Sequence, residues 1–170
     1  MRAFFIPAVG LATLTAGLLF SANTPAIGVA ITSDSLLIND ARATGNATIF
    51  SGSTLQSGAT AAQVRMKDGA EVSLLRDSRG KLFSDHMDLE KGSARVSGYA
   101  VNANGLKVEA DSASSASISM QGKTVEVASL SGNVHVFNAS GMNVANLLPG
   151  RALNLTPQEA GAAAPSQLSA

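Results

Sequence analysis

The sequence predicts an all-β protein, either a twisted β-sandwich or jelly roll or a short irregular β-solenoid, preceded by an N-terminal hydrophobic export helix. Three observations indicate this. Apolar residues alternate with polar ones from Leu36 to Leu155, glycines interrupt that pattern at steps of about nine to seventeen residues, and an uncharged run from Ala3 to Phe20 stands at the start. The alternation has the period of a strand rather than that of a helix.

The run from Ala3 to Phe20 follows a positive residue, Arg2, and is eighteen residues long. This length lies between a secretory signal and a membrane span, so the segment is expected to be either cleaved or kept as an anchor. Two later tripeptides, Thr24-Pro25-Ala26 and Gly28-Val29-Ala30, place small residues where a signal peptidase cuts. Cleavage after Ala26 is favoured because Pro25 weakens a helix just beyond the apolar run.

These features divide the chain into three segments. Residues 1–26 are predicted to be a signal peptide or membrane anchor, residues 27–156 a single β domain, and residues 157–170 a disordered tail that lacks both pattern and bulk. The predicted location is therefore extracytoplasmic, in the periplasm or cell envelope, with membrane contact only through the N-terminal segment if it is retained.

Composition excludes several classes of function. The chain has 12 Lys and Arg against 12 Asp and Glu, so no basic field would attract nucleic acid. It has no cysteine, which removes disulfides, thiolate chemistry and Cys-based metal sites. Only 14% of residues are charged and 4% aromatic, a composition common in secreted and envelope proteins.

Individual strands can be placed by their alternating residues. The clearest are Ala62 to Met66, Leu106 to Ala110 and Ala116 to Met120. Shorter segments of the same kind surround Val72 and Leu74, Met87 and Leu89, Ala94 and Val96, Val125 and Val127, and Val134 and Val136.

Glycine-containing turns are expected between these strands. The predicted turn positions are Gly69, Gly80, Gly92, Gly105, Gly122, Gly132, Gly141 and Gly150. A weak internal echo links Leu89–Val96, Leu130–Val136 and Leu148–Leu153, because a leucine, a glycine turn and small or branched residues follow one another in each. The unequal intervals leave both a sandwich and an irregular solenoid open.

Several motifs together resemble a FecR-like domain over roughly Leu36 to Pro157. The string Gly52-Ser-Thr-Leu-Gln-Ser-Gly58 precedes a strand, the Asp68-Gly69 turn and a second strand. Leu89 to Val96 and Leu130 to Val136 fit the Leu-x-x-Gly steps of that family, before a closing Pro149-Gly150. The family's structural turn positions fall here on Gly52, Gly58, Asp68, Gly69, Gly92, Gly132 and Gly150.

The resemblance implies an extracytoplasmic β domain, best known from regulators that relay occupancy of an outer-membrane receptor to a sigma factor. Only two residues stand before the hydrophobic run, and such regulators carry a sigma-binding segment there. We therefore expect a stand-alone module. Ser57 occupies a turn position where the family usually has threonine, and either hydroxyl can bond the local backbone.

No catalytic, cofactor-binding or metal-binding residues are predicted. The two histidines, His86 and His135, lack enough partners, because Asp85 and His86 would point to opposite faces of one strand. There is no Gly-x-Ser-x-Gly elbow for a serine nucleophile. The serines Ser112, Ser114, Ser115, Ser117 and Ser119 are interpreted as the solvent-facing side of a strand pair.

The leading functional hypothesis is a non-catalytic interaction or scaffold module in the envelope, which binds a protein or a surface polymer through a sheet face or an open edge and needs no cofactor. One alternative is a signal-transduction component linked to an outer-membrane receptor and a sigma factor. A second is a lipid or glycolipid carrier that holds acyl chains between its sheets.

Overall fold

The computed structural model describes residues 24–31 and 35–157. The predicted export helix and the predicted tail beyond Pro157 lie outside these residues. Within the described residues the structure is all-β, as predicted, and contains no helix that is long and apolar enough to cross a membrane.

The described residues form seventeen strands, several of them very short. In chain order they are β1 (Ala26–Ile31), β2 (Leu37–Ile38), β3 (Ala41–Arg42), β4 (Ala47–Phe50), β5 (Ser53–Gln56), β6 (Ala62–Met66), β7 (Glu71–Leu74), β8 (Arg79–Leu82), β9 (His86–Lys91), β10 (Ser93–Ser97), β11 (Ala100–Ala103), β12 (Leu106–Ala110), β13 (Ser115–Gln121), β14 (Thr124–Ser131), β15 (Val134–Phe137), β16 (Asn143–Leu147) and β17 (Ala152–Leu155).

The strands form two sheets. The eight-stranded sheet has the order β17-β14-β13-β10-β7-β6-β1-β4, and the nine-stranded sheet has the order β16-β15-β12-β11-β9-β8-β5-β2-β3. Neighbouring strands pair antiparallel except β9 and β11, which are parallel because β10, between them in the chain, belongs to the other sheet. The chain thus alternates between the sheets as it advances along both.

One hydrophobic core lies between the sheets, and the sequence alternation explains it. In β6 the burial pattern is strictly alternating, with Ala62, Val64 and Met66 inside and the two residues between them exposed. The predicted inward residues of the other strands are buried in the same way, including Val72, Leu74, Met87, Leu89, Val96, Val108, Ile118, Val127 and Val136. The strand assignments are therefore confirmed.

The predicted turn at Gly80 is wrong. Gly80 lies within β8, beside a bulge, and pairs with Leu55 on one side and Leu89 on the other. A Cβ atom there would stand 3.0 Å from the carbonyl oxygen of Asp88. This glycine is required by close packing within the sheet, and not by a reversal of the chain.

The turn at Asp68-Gly69 has the predicted hairpin geometry. The amide of Gly69 donates to the carbonyl of Met66 (3.2 Å), the amide of Met66 donates to the carbonyl of Ala70 (2.8 Å), and Gly69 has a φ of 91°. Asp68 Oδ1 accepts a further hydrogen bond from the amide of Ala70 (3.0 Å). A glycine in the left-handed region closes this hairpin between β6 and β7.

We expect Gly69→Val to lower the free energy of unfolding by about 1–3 kcal/mol, because a β-branched residue strongly disfavours this φ and a slip in register would expose Val72 and Leu74. Ser117→Ala, a matched change at a half-buried outward position, should cost well under about 1 kcal/mol. Urea unfolding of both variants measures the difference. Equal, negligible effects would contradict the register described here.

Candidate functional site

The residues predicted as turn positions are structural and lie in separate turns. Positive φ angles are present at Gly52, Gly69, Gly92, Gly132 and Gly150. Gly58 differs, since its φ is not positive. It lies in the connection after β5, where a Cβ atom would stand 2.8 Å from Cβ of Ser35. Close approach of two segments, rather than a turn, requires glycine there.

A buried serine connects two of these turn regions. Ser57 Oγ accepts a hydrogen bond from the amide of Ser78 (3.0 Å) and donates to the carbonyl of Leu75. Ser78 Oγ accepts from the amide of Ser93 (2.8 Å), directly after Gly92. Ser57 and Ser78 are 2% and 0% exposed, so these hydroxyls satisfy backbone groups inside the fold.

Ser114 corrects a prediction. It is 3% exposed, and therefore does not belong to a solvent-facing row of serines. Gly132 packs against Ser114 as Gly92 packs against Ser78, and both glycines have positive φ. In two of the three segments of the internal echo a glycine turn thus packs against a buried serine, which alternation alone could not reveal, whereas Gly150 in the third has no such contact.

The surroundings of His86 also differ from expectation. Asp85 lies in a bend before β9, so the alternation of a strand does not fix the direction of its side chain. Its Oδ1 lies 2.9 Å from His86 Nδ1. The hydrogen bond with His86 lowers the pKa of the Asp85 carboxyl below its usual value. His86 Nε2 lies 3.4 Å from Asp88 Oδ1. Asp85 and His86 therefore do not point to opposite faces of one strand, because the bend before β9 brings their side chains together.

His135 has its own polar partners. Its Nδ1 lies 2.7 Å from Asn146 Oδ1 and its Nε2 lies 3.7 Å from Asp111 Oδ1. Across residues 24–31 and 35–157, no group of three His, Asp or Glu side chains is arranged to hold a metal ion. The two histidines lie on the same sheet face, on β9 and β15, with β11 and β12 between them.

The outer surface of the nine-stranded sheet, here called the nine-strand face, carries most of the ordered polar contacts. One row of facing residues crosses six strands and contains Lys81, Asp88, Asn102, Lys107, Phe137 and Asn143. Within it, Asn102 Nδ2 donates to Asp88 Oδ1 (2.9 Å). The adjacent row contains His86, Ala100, Glu109, His135 and Asn146.

Two aromatic rings lie on this face, one near its middle and one near its β16 edge. Phe83 stacks on His86, with ring centroids 4.7 Å apart and planes inclined by 17°. Phe137 lies on β15, three strand spacings from β9, a separation of about 14 Å. The nine-strand face therefore offers two aromatic platforms joined by amide, carboxylate and ammonium groups.

The platform at Phe137 borders a cleft of about 620 Å³. Asn102, Lys107, Glu109 and Asn138 also line this cleft. Lys107 Nζ lies 2.6 Å from Glu109 Oε1, and this contact raises the pKa of the lysine. An aromatic ring beside amides and a neutralised ion pair is suited to a ligand with many hydroxyls and little charge.

A buried tyrosine fixes the backbone at the other platform. The hydroxyl of Tyr99 donates to the carbonyl of Phe83 (2.5 Å) and also lies 2.8 Å from the carbonyl oxygen of His86. Burial raises the pKa of this phenol far above its usual value, so it stays protonated and able to donate. Phe83 and His86 are thus positioned from beneath by the core.

The outer surface of the eight-stranded sheet, here called the eight-strand face, has a different character. Serines dominate its central strands, and two pairs of them are hydrogen bonded, Ser93 to Ser119 (2.8 Å) and Ser115 to Ser131 (2.7 Å). Phe50 stands at its edge on β4 and is 45% exposed.

Comparison with known proteins found no family model and no curated protein that matches this chain. Functional arguments therefore depend on the two faces themselves.

Proposed function

We propose that this chain is a non-catalytic, extracytoplasmic module of the bacterial cell envelope that binds a neutral polysaccharide across the nine-strand face. The observation that carries the proposal is the pair of aromatic platforms, Phe83 with His86 and Phe137, separated by the polar side chains of β11 and β12. The uncharged run from Ala3 to Phe20 and the resemblance to FecR-like domains support an envelope location.

The chemistry of a sugar ring matches this arrangement. One face of a pyranose presents C–H groups that pack on the electron-rich face of an aromatic ring, while its rim hydroxyls both donate and accept hydrogen bonds. The amide of Asn102 both donates and accepts hydrogen bonds, and the carboxylate of Glu109 accepts them, so together they match the hydroxyls of a sugar. A separation of about 14 Å between platforms fits a chain of several sugar units rather than one.

The charge of the face favours a neutral polymer. Around the two platforms, two lysines, Lys81 and Lys107, stand among four carboxylates, those of Asp85, Asp88, Glu109 and Asp111. A polymer of phosphates or uronic acids would meet excess negative charge and be repelled. Nucleic acid is disfavoured for the same reason.

The finer fold class we propose is a short irregular β-solenoid flattened into two sheets. Its support is the advance of successive strand pairs along both sheets from β6 to β17. Side chains of both sheets meet in one buried cluster, which leaves little room for the acyl chains of a carried lipid and favours binding at an outer face.

We expect Phe137→Ala to weaken binding of a neutral oligosaccharide about tenfold, equivalent to roughly 1.4 kcal/mol, because it removes one platform. The measurement is isothermal titration of the full chain in non-ionic detergent with pentasaccharides of glucose, mannose and N-acetylglucosamine. Phe50→Ala is the matched control, since Phe50 lies on the other sheet and is 45% exposed. Binding to none of the three sugars, or equal losses in both variants, would refute the proposal.

A further inference from the structure

A groove of about 220 Å³ lies on the eight-strand face, on the opposite side of the core from the proposed polysaccharide surface. Polar residues of β6, β7 and β10 line it, namely Gln63, Arg65, Glu71, Ser73, Arg95 and Ser97. Ile31 and Leu130 add apolar surface, and both are nearly half exposed.

The charges in this groove do not cancel. Arg65 Nη2 lies 3.2 Å from Glu71 Oε1, so these two exposed groups neutralise each other. Arg95 is exposed and forms no ion pair or side-chain hydrogen bond with any other residue of the described parts of the chain. The groove therefore carries one uncompensated guanidinium, on a chain whose net charge is zero.

Three serines flank Arg95 in the sheet. Ser73 on β7 and Ser117 on β13 stand directly opposite Arg95 in the sheet, and Ser97 is two residues along the same strand. Among the described residues none of these three hydroxyls has a hydrogen-bond partner, whereas the neighbouring Ser93 and Ser119 bond to each other. Three hydroxyl groups able to donate and accept therefore lie on residues beside Arg95 on this face.

We propose that this groove is a second binding site, which takes an oxyanion, carboxylate or phosphate, carried by a hydroxylated ligand such as a sugar acid or a sugar phosphate. The guanidinium of Arg95 binds the oxyanion through its fork of N–H donors. The hydroxyls of Ser73, Ser97 and Ser117 bind the hydroxyls of the ligand. Ile31 and Leu130 contact its C–H groups.

The two sites are separate and differ in charge preference. The nine-strand face has excess carboxylates, whereas the groove has an excess cation, so an acidic ligand is directed to the groove alone. A free metabolite and the acidic unit of a larger glycan would present the same oxyanion to Arg95.

The test is isothermal titration of the full chain in non-ionic detergent with galacturonate, glucose 1-phosphate and neutral galactose. We expect both acids to bind and galactose to bind at least tenfold more weakly. Arg95→Gln should weaken acid binding at least tenfold, and Arg95→Lys, which keeps the charge, should weaken it less. Arg151→Gln, at an exposed arginine outside the groove, is the matched control.

Several outcomes would overturn this inference. Equal binding of galactose and the acids would show that no anion is recognised, and equal losses in the Arg95 and Arg151 variants would show unspecific attraction. Absence of acid binding to the unaltered chain would also overturn the inference. Phe137→Ala should leave acid binding unchanged, which separates a failure here from a failure of the proposed polysaccharide site.

Discussion

We expect Gly92→Ala to destabilise the protein by about 3 kcal/mol or more, because two costs combine. Gly92 has a φ of 82°, which disfavours any residue with a Cβ atom. A Cβ atom there would also stand 2.8 Å from Cα and 2.3 Å from Oγ of Ser78, which is fully buried. Backbone on one side and a hydrogen-bonded hydroxyl on the other leave little scope for relaxation.

Gly141→Ala provides the matched control for that change. Gly141 has a similar φ of 78°, but nothing lies within 4 Å of a Cβ atom built there. Only the strain of a positive φ remains, so we expect the free energy of unfolding to fall by about 1–2 kcal/mol. Urea unfolding of both variants isolates the contribution of the contact with Ser78. Equal destabilisation would mean that Gly92 is required for its φ alone.

The second large effect concerns the N-terminal strand β1. Strand β1 lies between β4 and β6 and is hydrogen bonded to both. Its residues Ile27 and Ala30 are 7% and 0% exposed and belong to the core. Cleavage after Ala30 would remove this strand and open the eight-stranded sheet, whereas cleavage after Ala26 would leave Ile27 to Ile31 in place.

We therefore expect a chain beginning at Ile27 to fold and a chain beginning at Ile31 to lose cooperative unfolding. Circular dichroism and urea unfolding of the two purified chains measure this, and N-terminal sequencing of the protein recovered from cells identifies whether and where it is cleaved. Cooperative folding of the shorter chain would show that β1 is dispensable. If neither chain folds, residues before Ile27 are needed for folding.

Local pattern predicted eight of the strands in the described residues, all between β6 and β15, and most turns, because both depend on near neighbours in the chain. A strand with one buried face must alternate, and this identified β6, β12 and β13 directly from their residues. The left-handed φ at Gly69 followed from the short Asp-Gly reversal between two such strands.

Contacts between distant segments decided what local pattern could not. Gly80 and Gly58 look like turn glycines in the sequence, but their role is to admit Asp88 and Ser35, neighbours from other segments. Ser114 resembles its solvent-facing neighbours, yet it is buried against Gly132, eighteen residues later.

The candidate sites show the same division. The sequence by itself determined which side chains leave the predicted strands outward, including His86, Lys107 and Phe137, because alternation is a property of one strand. Only the tertiary structure decided which outward residues share a row, since the parallel pairing of β9 with β11 sets His86 beside Ala100 and Asp88 beside Asn102. That pairing depends on how the two sheets pack around the core, and it cannot be predicted from the spacing of residues along the chain.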